Sequence, residues 1–201
     1  MFLSGLGNPL MEALFVSTGV VALAEIGDKT QLLAFILAAR FKKPLPIIAG
    51  ILVATLINHG LAGALGAWIT SVVSPDNMRW ILGGSFIAMA IWTLIPDKIE
   101  EEETQVAKQL GVFGATFVTF FLAEMGDKTQ IATVALAAHY VAPLLVIAGT
   151  TLGMLIADVP AVFVGNKFAA KIPMKLVHSI AAGIFAMMGL LTLFQVDKLF
   201  Q

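Results

Sequence analysis

Six long apolar stretches follow one another along the chain, and short segments between them hold most of its charged residues. The stretches cover residues 10–38, 44–70, 79–96, 110–138, 143–165 and 174–195. Each is long enough for a helix that crosses a bilayer, which takes about 17–25 residues. The stretches also lack the alternation of apolar and polar residues that is typical of membrane barrels. The pattern therefore predicts an all-α, polytopic membrane protein with six transmembrane helices.

The composition agrees with a membrane protein and excludes several other classes. Apolar residues make up 59% of the chain and charged residues 12%, whereas a soluble domain carries about 25% charged residues. A net charge of -1 does not provide the clustered positive charge that a nucleic-acid binder needs. Because the chain has no cysteine, a disulfide scaffold and a thiolate metal site are excluded. No Lys or Arg precedes the first apolar stretch, so we expect that stretch to be a retained span rather than a secretory signal.

The basic residues predict how the helices are oriented. The loops after the first, third and fifth stretches hold eight of them, and the opposite side holds only Arg79 and Lys198. Since cytoplasmic loops are enriched in Lys and Arg, these three loops are expected in the cytoplasm and both termini in the periplasm. The eight residues are Arg40, Lys42, Lys43, Lys98, Lys108, Lys167, Lys171 and Lys175.

An internal repeat divides the chain into two halves. A shift of 99 residues aligns the sequence with itself, and residues 23–31 and 122–130 then share eight of nine residues. Each copy holds three apolar stretches, so the second copy must enter the membrane upside down. We therefore predict two inverted three-helix repeats, at residues 1–96 and 109–201, a construction common in secondary transporters. Residues 97–108 form an acidic cytoplasmic linker, which is either a solvated connection or a cation-attracting, regulatory segment.

Five carboxylates lie inside apolar stretches: Glu25, Asp28, Glu124, Asp127 and Asp158. Each would cost roughly 2.5–3.5 kcal/mol at a helix centre, so protons, lysines or a bound cation must neutralise them. Glu25 and Asp28 are three residues apart, as are Glu124 and Asp127, and residues at this spacing share a helix face. Inverted symmetry can bring the two faces together.

The charges and donor atoms in these segments indicate a divalent cation. Four carboxylates with Lys29 and Lys128 leave a charge of -2, although either lysine could instead extend away from the site or screen it when empty. Carboxylate and amide oxygens suit Mg²⁺, Ca²⁺ and Mn²⁺. Further oxygen atoms could come from Thr30, Gln31, Thr129 and Gln130.

Two glycines interrupt the first and fourth stretches, which are too long for one straight span. Gly27 and Gly126 stand directly beside the acidic residues. A glycine there permits a kink or a broken helix that exposes backbone carbonyls to an ion, or it permits close helix packing. Pro160 offers a similar break in the fifth stretch.

Three further polar residues lie inside the second and fifth stretches. Asn58 and His59 belong to the second, and His59 aligns with Asp158 of the fifth. His59 is either a packing residue or a proton-relay or supporting partner of the site, whereas the cost of burying Asp158 favours a functional role. Four residues near the ends of stretches are interpreted as interface residues: Asp76, Arg79, His139 and His178.

The doubled Glu-x-Gly-Asp-Lys-Thr motif resembles the signature of the GDT family of cation/proton exchangers. The family pattern is Glu-x-Gly-Asp, then Lys or Arg, then Ser or Thr, once in each half. Both copies are complete here, at residues 25–30 and 124–129. The resemblance covers essentially the whole chain, and it is nearest to bacterial manganese exporters of the MneA type.

This resemblance implies a function that composition and spacing do not. It implies export of Mn²⁺, or of Ca²⁺ as in other members, from the cytosol in exchange for protons, without a cofactor. It also implies that the motif acids form the cation site and that the protein lies in a bacterial inner membrane. Alternatives are an exporter of amino acids or other small solutes, a non-transporting ion sensor, and a membrane enzyme such as a lipid-pyrophosphate phosphatase. The enzyme is disfavoured because only Arg40 and Arg79 could clamp phosphate.

Overall fold

The computed structural model describes residues 9–95, 110–164 and 174–194, and every regular element in these ranges is a helix. The all-α prediction is confirmed for this part of the chain. The predicted linker at 97–108, with its acidic residues Asp97 and Glu100 to Glu103, lies outside the described residues. The helices are α1 (Pro9–Glu25), α2 (Lys29–Phe41), α3 (Pro44–Val72), α4 (Pro75–Thr93), α5 (Gly111–Glu124), α6 (Lys128–Tyr140), α7 (Pro143–Val164) and α8 (Met174–Phe194).

The apolar stretches correspond closely to these helices. The first and fourth stretches are each divided into two helices, α1 with α2 and α5 with α6, and each of the other four forms one helix. The fifth stretch is not broken at Pro160, because α7 continues through this residue to Val164. A proline removes one backbone hydrogen-bond donor, and here the helix tolerates that loss.

Two helices, α3 and α7, are by themselves long and apolar enough to cross a membrane. The pair α1 and α2, bent by 69° at its break, would be a third such span. These are findings for the described residues alone, and the six crossing helices therefore remain a prediction.

Polar and apolar side chains are distributed as in a membrane protein. Large apolar side chains such as Phe15, Trp68 and Trp80 are 60% or more exposed, whereas Glu25 and Glu124 are fully buried. An apolar exterior of this kind suits contact with lipid. The molecule therefore keeps its costly charged groups inside.

The two halves contact each other through equivalent glycines. A Cβ atom added to Gly149 of α7 would lie 2.6 Å from the carbonyl oxygen of Leu14 in α1. One added to Gly50 of α3 would lie 2.7 Å from Thr116 Cβ and 3.0 Å from the carbonyl oxygen of Phe113, both in α5. The glycines are 99 residues apart, as are Leu14 and Phe113. Each long helix thus lies tightly against the first helix of the other half, as small residues allow.

Apolar core contacts also join the two halves. Phe86 of α4 stacks on Phe185 of α8, its equivalent under the 99-residue shift, with ring centroids 6.5 Å apart. A second cluster joins Leu33 of α2 and Ile47 of α3 to Phe120 of α5. Both clusters therefore hold elements of the two halves in fixed positions around the broken helices.

Candidate cation site at two broken helices

The first long stretch breaks directly beside its acidic residues. Glu25 ends α1, Gly27 adopts a φ of 85°, and Asp28 caps the start of α2. This left-handed backbone conformation favours glycine, and the Asp28 side chain accepts a hydrogen bond from the Lys29 amide at 2.8 Å. The prediction of a broken helix at this glycine is confirmed.

The second break has the same backbone structure, although the Asp127 side chain makes no capping hydrogen bond with the start of its helix. Glu124 ends α5, Gly126 has a φ of 77°, and Asp127 begins α6. The Asp127 amide donates to the Glu124 carbonyl at 3.1 Å, and the Asp28 amide donates to the Glu25 carbonyl at 3.0 Å. The expectation that each Glu and Asp share one helix face is wrong, because the two acids belong to consecutive helices on either side of a turn.

A glutamine holds each turn closed. Gln31 accepts a hydrogen bond from the Gly27 amide at 3.0 Å, and Gln130 accepts one from the Gly126 amide at 2.7 Å. Gln31 also donates to the Ala157 carbonyl in α7 at 2.8 Å. The amide oxygens that could have been ion ligands are thus bonded to the backbone, where they replace a bond that the broken helix has lost.

A threonine orients each glutamate. The Thr30 hydroxyl donates to Glu25 Oε2 at 2.6 Å, and the Thr129 hydroxyl donates to Glu124 Oε2 at 3.2 Å. The other oxygen of each glutamate is buried and has no hydrogen-bond partner among the residues that the structure describes. A buried polar atom without a partner is costly, so these two oxygens are suited to bind a proton or a cation.

Three of the four predicted ligands come together. Glu25, Glu124 and Asp127 are buried, and each offers an oxygen that lies within 4.8 Å of the others. Oxygens on opposite sides of an ion with bonds of about 2.1–2.4 Å lie roughly 4–5 Å apart, so the group is compact enough to surround a divalent cation. The fourth predicted ligand, Asp28, is not a member of this group.

The motif lysines form ion pairs that cross between the halves. Lys128 Nζ lies 3.2 Å from Asp28 Oδ2, and Lys29 Nζ lies 3.9 Å from Asp127 Oδ1. The Lys128 side chain is fully buried, whereas that of Lys29 is 18% exposed. Both lysines therefore face acidic residues of the site, but at different depths.

The predicted residues of α3 lie beside the second break. Asn58 donates a hydrogen bond to the Phe121 carbonyl in α5 at 3.1 Å. His59 Nε2 lies 3.9 Å from Glu124 Oε2, which is longer than a hydrogen bond. Both side chains are buried, so α3 brings His59 close to the glutamate of the opposite half and joins Asn58 to the backbone of the same helix, α5.

Two residues of the second half lie near the first break. Asp158 in α7 is fully buried and close enough to Glu25 for electrostatic repulsion, and within the described residues its oxygens have no hydrogen-bond partner. His178 in α8 lies with Nε2 3.0 Å from the Ile26 carbonyl oxygen. The interpretation of His178 as an interface residue therefore missed its contact with the break. Its alignment with Arg79, another ionisable residue at the same repeat position, was the available signal.

Comparisons with known proteins identify the family of the chain. The profile of the family described as "Divalent cation/proton antiporter GDT1" matches residues 13–101 and 112–198. A Vibrio cholerae protein named "Putative manganese exporter" is 52% identical over 186 residues, which cover 92% of each chain. The rice (subsp. indica) "GDT1-like protein 3" is 29% identical over 91% of this chain and 74% of its own. The Arabidopsis thaliana "GDT1-like protein 5" is 26% identical over 92% and 96%. No solved structure matches the chain.

The family match covers both halves, and each matched segment contains one acidic motif. Together with the apolar helices, it makes the protein a multi-pass membrane transporter and not an enzyme. The chain belongs to the GDT1 family of divalent cation/proton antiporters.

Proposed function

We propose that the protein exports Mn²⁺ from the cytosol in exchange for protons, and that Glu25, Glu124 and Asp127 bind the metal, with Asp28 as the fourth acid of the site. The observation that carries this proposal is the group of buried carboxylate oxygens contributed by both halves within 4.8 Å of one another. In a membrane interior, such a group is tolerable only when protons or a cation compensate its charge.

The donor atoms are compatible with Mn²⁺ as the substrate, and the name of a relative favours it. The donors are carboxylate oxygens, which suit Mn²⁺, Ca²⁺ and Mg²⁺ but do not select among them. The relative with 52% identity carries a name that specifies manganese. Ca²⁺ is the alternative substrate, and a transport assay separates the two ions.

The mechanism that we propose is alternating access by two inverted halves. Deprotonated carboxylates bind Mn²⁺ from the cytoplasm, and the bound charge makes the change of conformation possible. On the other side, protons replace the metal and keep the acids neutral during the return, so metal and protons compete for the same oxygens. The equivalent contacts of Gly50 and Gly149 support two halves that pack against each other in the same way, as related repeats would.

The proposed topology has six membrane-crossing helices in a bacterial inner membrane. Residues 1–96 and 109–201 form the two halves. The acidic linker at 97–108 faces the cytoplasm, as do the basic loops after the first and fifth apolar stretches. Both termini are then periplasmic. The support is the eight-to-two distribution of basic residues.

The residues around the ligands receive supporting roles. Thr30 and Thr129 orient the glutamates through the hydrogen bonds described above, and the glutamines keep the breaks in shape. Outer partners of this kind commonly tune a metal site. The remaining residues, which adjust its charge or couple it to protons, are Lys29, Lys128, Asn58, His59 and Asp158.

A flux assay in proteoliposomes tests this proposal. Adding Mn²⁺ should release protons from acid-loaded vesicles that contain a pH-sensitive dye, and parallel assays with Ca²⁺, Mg²⁺ and Zn²⁺ establish selectivity. The Glu25→Gln/Glu124→Gln double variant should lose this exchange, whereas Glu12→Gln, on the same helix as Glu25 but outside the group, should retain it. Unaltered exchange in the double variant would reject the site, and metal binding without flux would indicate a sensor instead.

A further inference from the structure

The ion pairs of the two motif lysines differ in distance and burial. The shorter and more buried pair includes Asp28, the motif acid that is not among the three clustered carboxylates, which are called the oxygen group below. We propose that Lys128 is a tethered counter-ion: it holds the Asp28 carboxylate while the site contains no metal, and an entering divalent cation displaces it. This inference rests on the proposed cation site and assigns a function to a lysine within it.

Local sequence does not explain why Asp127 joins the oxygen group and Asp28 does not. Both are N-cap residues in the same motif, and both follow a glycine with positive φ. Their lysine partners differ, because Lys128 lies 3.2 Å from Asp28 and Lys29 lies 3.9 Å from Asp127. The closer pair is the one with Asp28, the motif acid that is not a member of the group.

Burial makes the electrostatic interaction between Lys128 and Asp28 stronger than that between Lys29 and Asp127. The Lys128 side chain has no exposed surface, so in this conformation its ammonium group does not reach water. A buried charge is tolerable only when paired, because its desolvation is not otherwise repaid. Lys29 is partly exposed, and solvent screens its charge more effectively.

The ammonium group and a divalent cation exclude each other at this position. A metal bound by Glu25, Glu124 and Asp127 would bring two positive charges close to Lys128, which already interacts electrostatically with Glu25. Repulsion would move the ammonium group away from Asp28 and release a fourth carboxylate toward the ion. When the metal leaves, Lys128 returns and compensates the acids, so the lysine favours release of the ion.

Replacement of Lys128 by a neutral residue therefore has opposite effects on binding and on turnover. We expect Lys128→Met to lower the Mn²⁺ dissociation constant about tenfold, within the usual range for two competing ligands of one protein. Manganese/proton exchange should slow about tenfold, because the empty site must return without its internal cation. Exchange of labelled for unlabelled Mn²⁺ should slow less, because that cycle does not require an empty return.

The experiment measures Mn²⁺ binding to purified protein by isothermal titration calorimetry and both exchange modes in proteoliposomes. Lys29→Met is the matched comparison, since it removes the equivalent but more exposed lysine. It should change the affinity less than Lys128→Met does, because solvent partly screens its pair with Asp127. Lys128→Arg retains the positive charge and should not tighten binding. If Lys128→Met does not elute as a folded protein in gel filtration, Lys128→Gln, which can still donate to Asp28, takes its place.

The outcomes separate this inference from the proposed function. If the wild-type protein neither binds nor exchanges Mn²⁺, the proposed function and this inference both fail. If the wild type exchanges Mn²⁺ but the neutral Lys128 variants bind it no more tightly, only the role of Lys128 is rejected. Equal tightening by Lys29→Met would also contradict the inference, because it requires unequal lysines.

Discussion

The two broken helices are almost identical in sequence but lie in different surroundings. Each has a glycine with positive φ, an aspartate cap and a glutamine that closes the turn. At the first break, the Ile26 carbonyl contacts His178 of α8. At the second break, the equivalent Met125 is 53% exposed. The repeated motif thus determines the local backbone, and neighbouring helices determine the environment.

The long helices add a difference in charge. At equivalent positions, α3 carries His59 and α7 carries Asp158, and both side chains are buried. His59 lies beside Glu124, whereas Asp158 acts on both Glu25 and Glu124, so α3 and α7 affect the glutamates differently. The two glutamates are equivalent in the motif but not in their electrostatic surroundings.

The largest effect is expected when the glutamate of each broken helix is replaced separately. Glu25→Gln and Glu124→Gln should each reduce manganese/proton exchange by more than about 100-fold, beyond the 10–100-fold loss typical of residues that only support a metal ligand. The physical reason is that each removes one charged ligand contributed by one half. Initial exchange rates in proteoliposomes measure the effect, with Glu12→Gln as the control. Near-normal exchange in either variant would show that one half alone suffices.

The difference between α3 and α7 predicts unequal effects of neutral substitutions. Asp158→Asn removes a buried ionisable carboxyl group near Glu25 and should slow exchange about 10–100-fold, as for other outer partners of metal sites. His59 Nε2 lies 3.9 Å from Glu124 Oε2, beyond hydrogen-bond distance, so His59→Gln, which keeps a polar side chain, should slow exchange by less than about tenfold. The same flux assay compares both variants, and a larger loss for His59→Gln would reverse the proposed order of importance.

Much of this fold could be predicted from the sequence, because helix length and repeat period depend on local patterns. The predicted stretch at 44–70 became α3 (Pro44–Val72), and the break at Gly27 followed from a glycine placed directly beside the acidic residues. The shared face of Glu25 and Asp28 was wrong, since the three-residue rule assumes a continuous helix, which the glycine interrupts.

The unequal parts of the site could not be predicted from the repeat. Lys29 and Lys128 have the same sequence neighbours, so only tertiary packing makes one buried and the other partly exposed. His178 is 152 positions from Ile26 in the chain, and no pattern within a single helix connects them. Local rules therefore predicted the two broken helices, whereas the electrostatic differences between them depend on long-range packing.

Stability measurements test the contact between the halves. Gly149→Ala would place a Cβ atom 2.6 Å from the Leu14 carbonyl oxygen, and overpacking of this kind costs about 1–3 kcal/mol. The apparent melting temperature in detergent should fall by several degrees, because about 1 kcal/mol corresponds to roughly 2–4 °C in a chain of this size. Gly183→Ala is the matched control, since nothing lies within 4 Å of the added atom. Equal stability of the two variants would contradict the tight packing of α7 on α1.

The smallest expected effect distinguishes the two glutamines. Gln31 bonds both to the Gly27 amide and to the Ala157 carbonyl in α7, whereas the contact described for Gln130 is with the Gly126 amide. Because one hydrogen bond contributes about 0.5–1.5 kcal/mol net, Gln31→Ala should lower the melting temperature more than Gln130→Ala, by a few degrees at most. Parallel thermal unfolding of both variants in one detergent measures the difference. The opposite order would mean that the link from the first break to α7 adds nothing to stability, and that the motif alone holds each break.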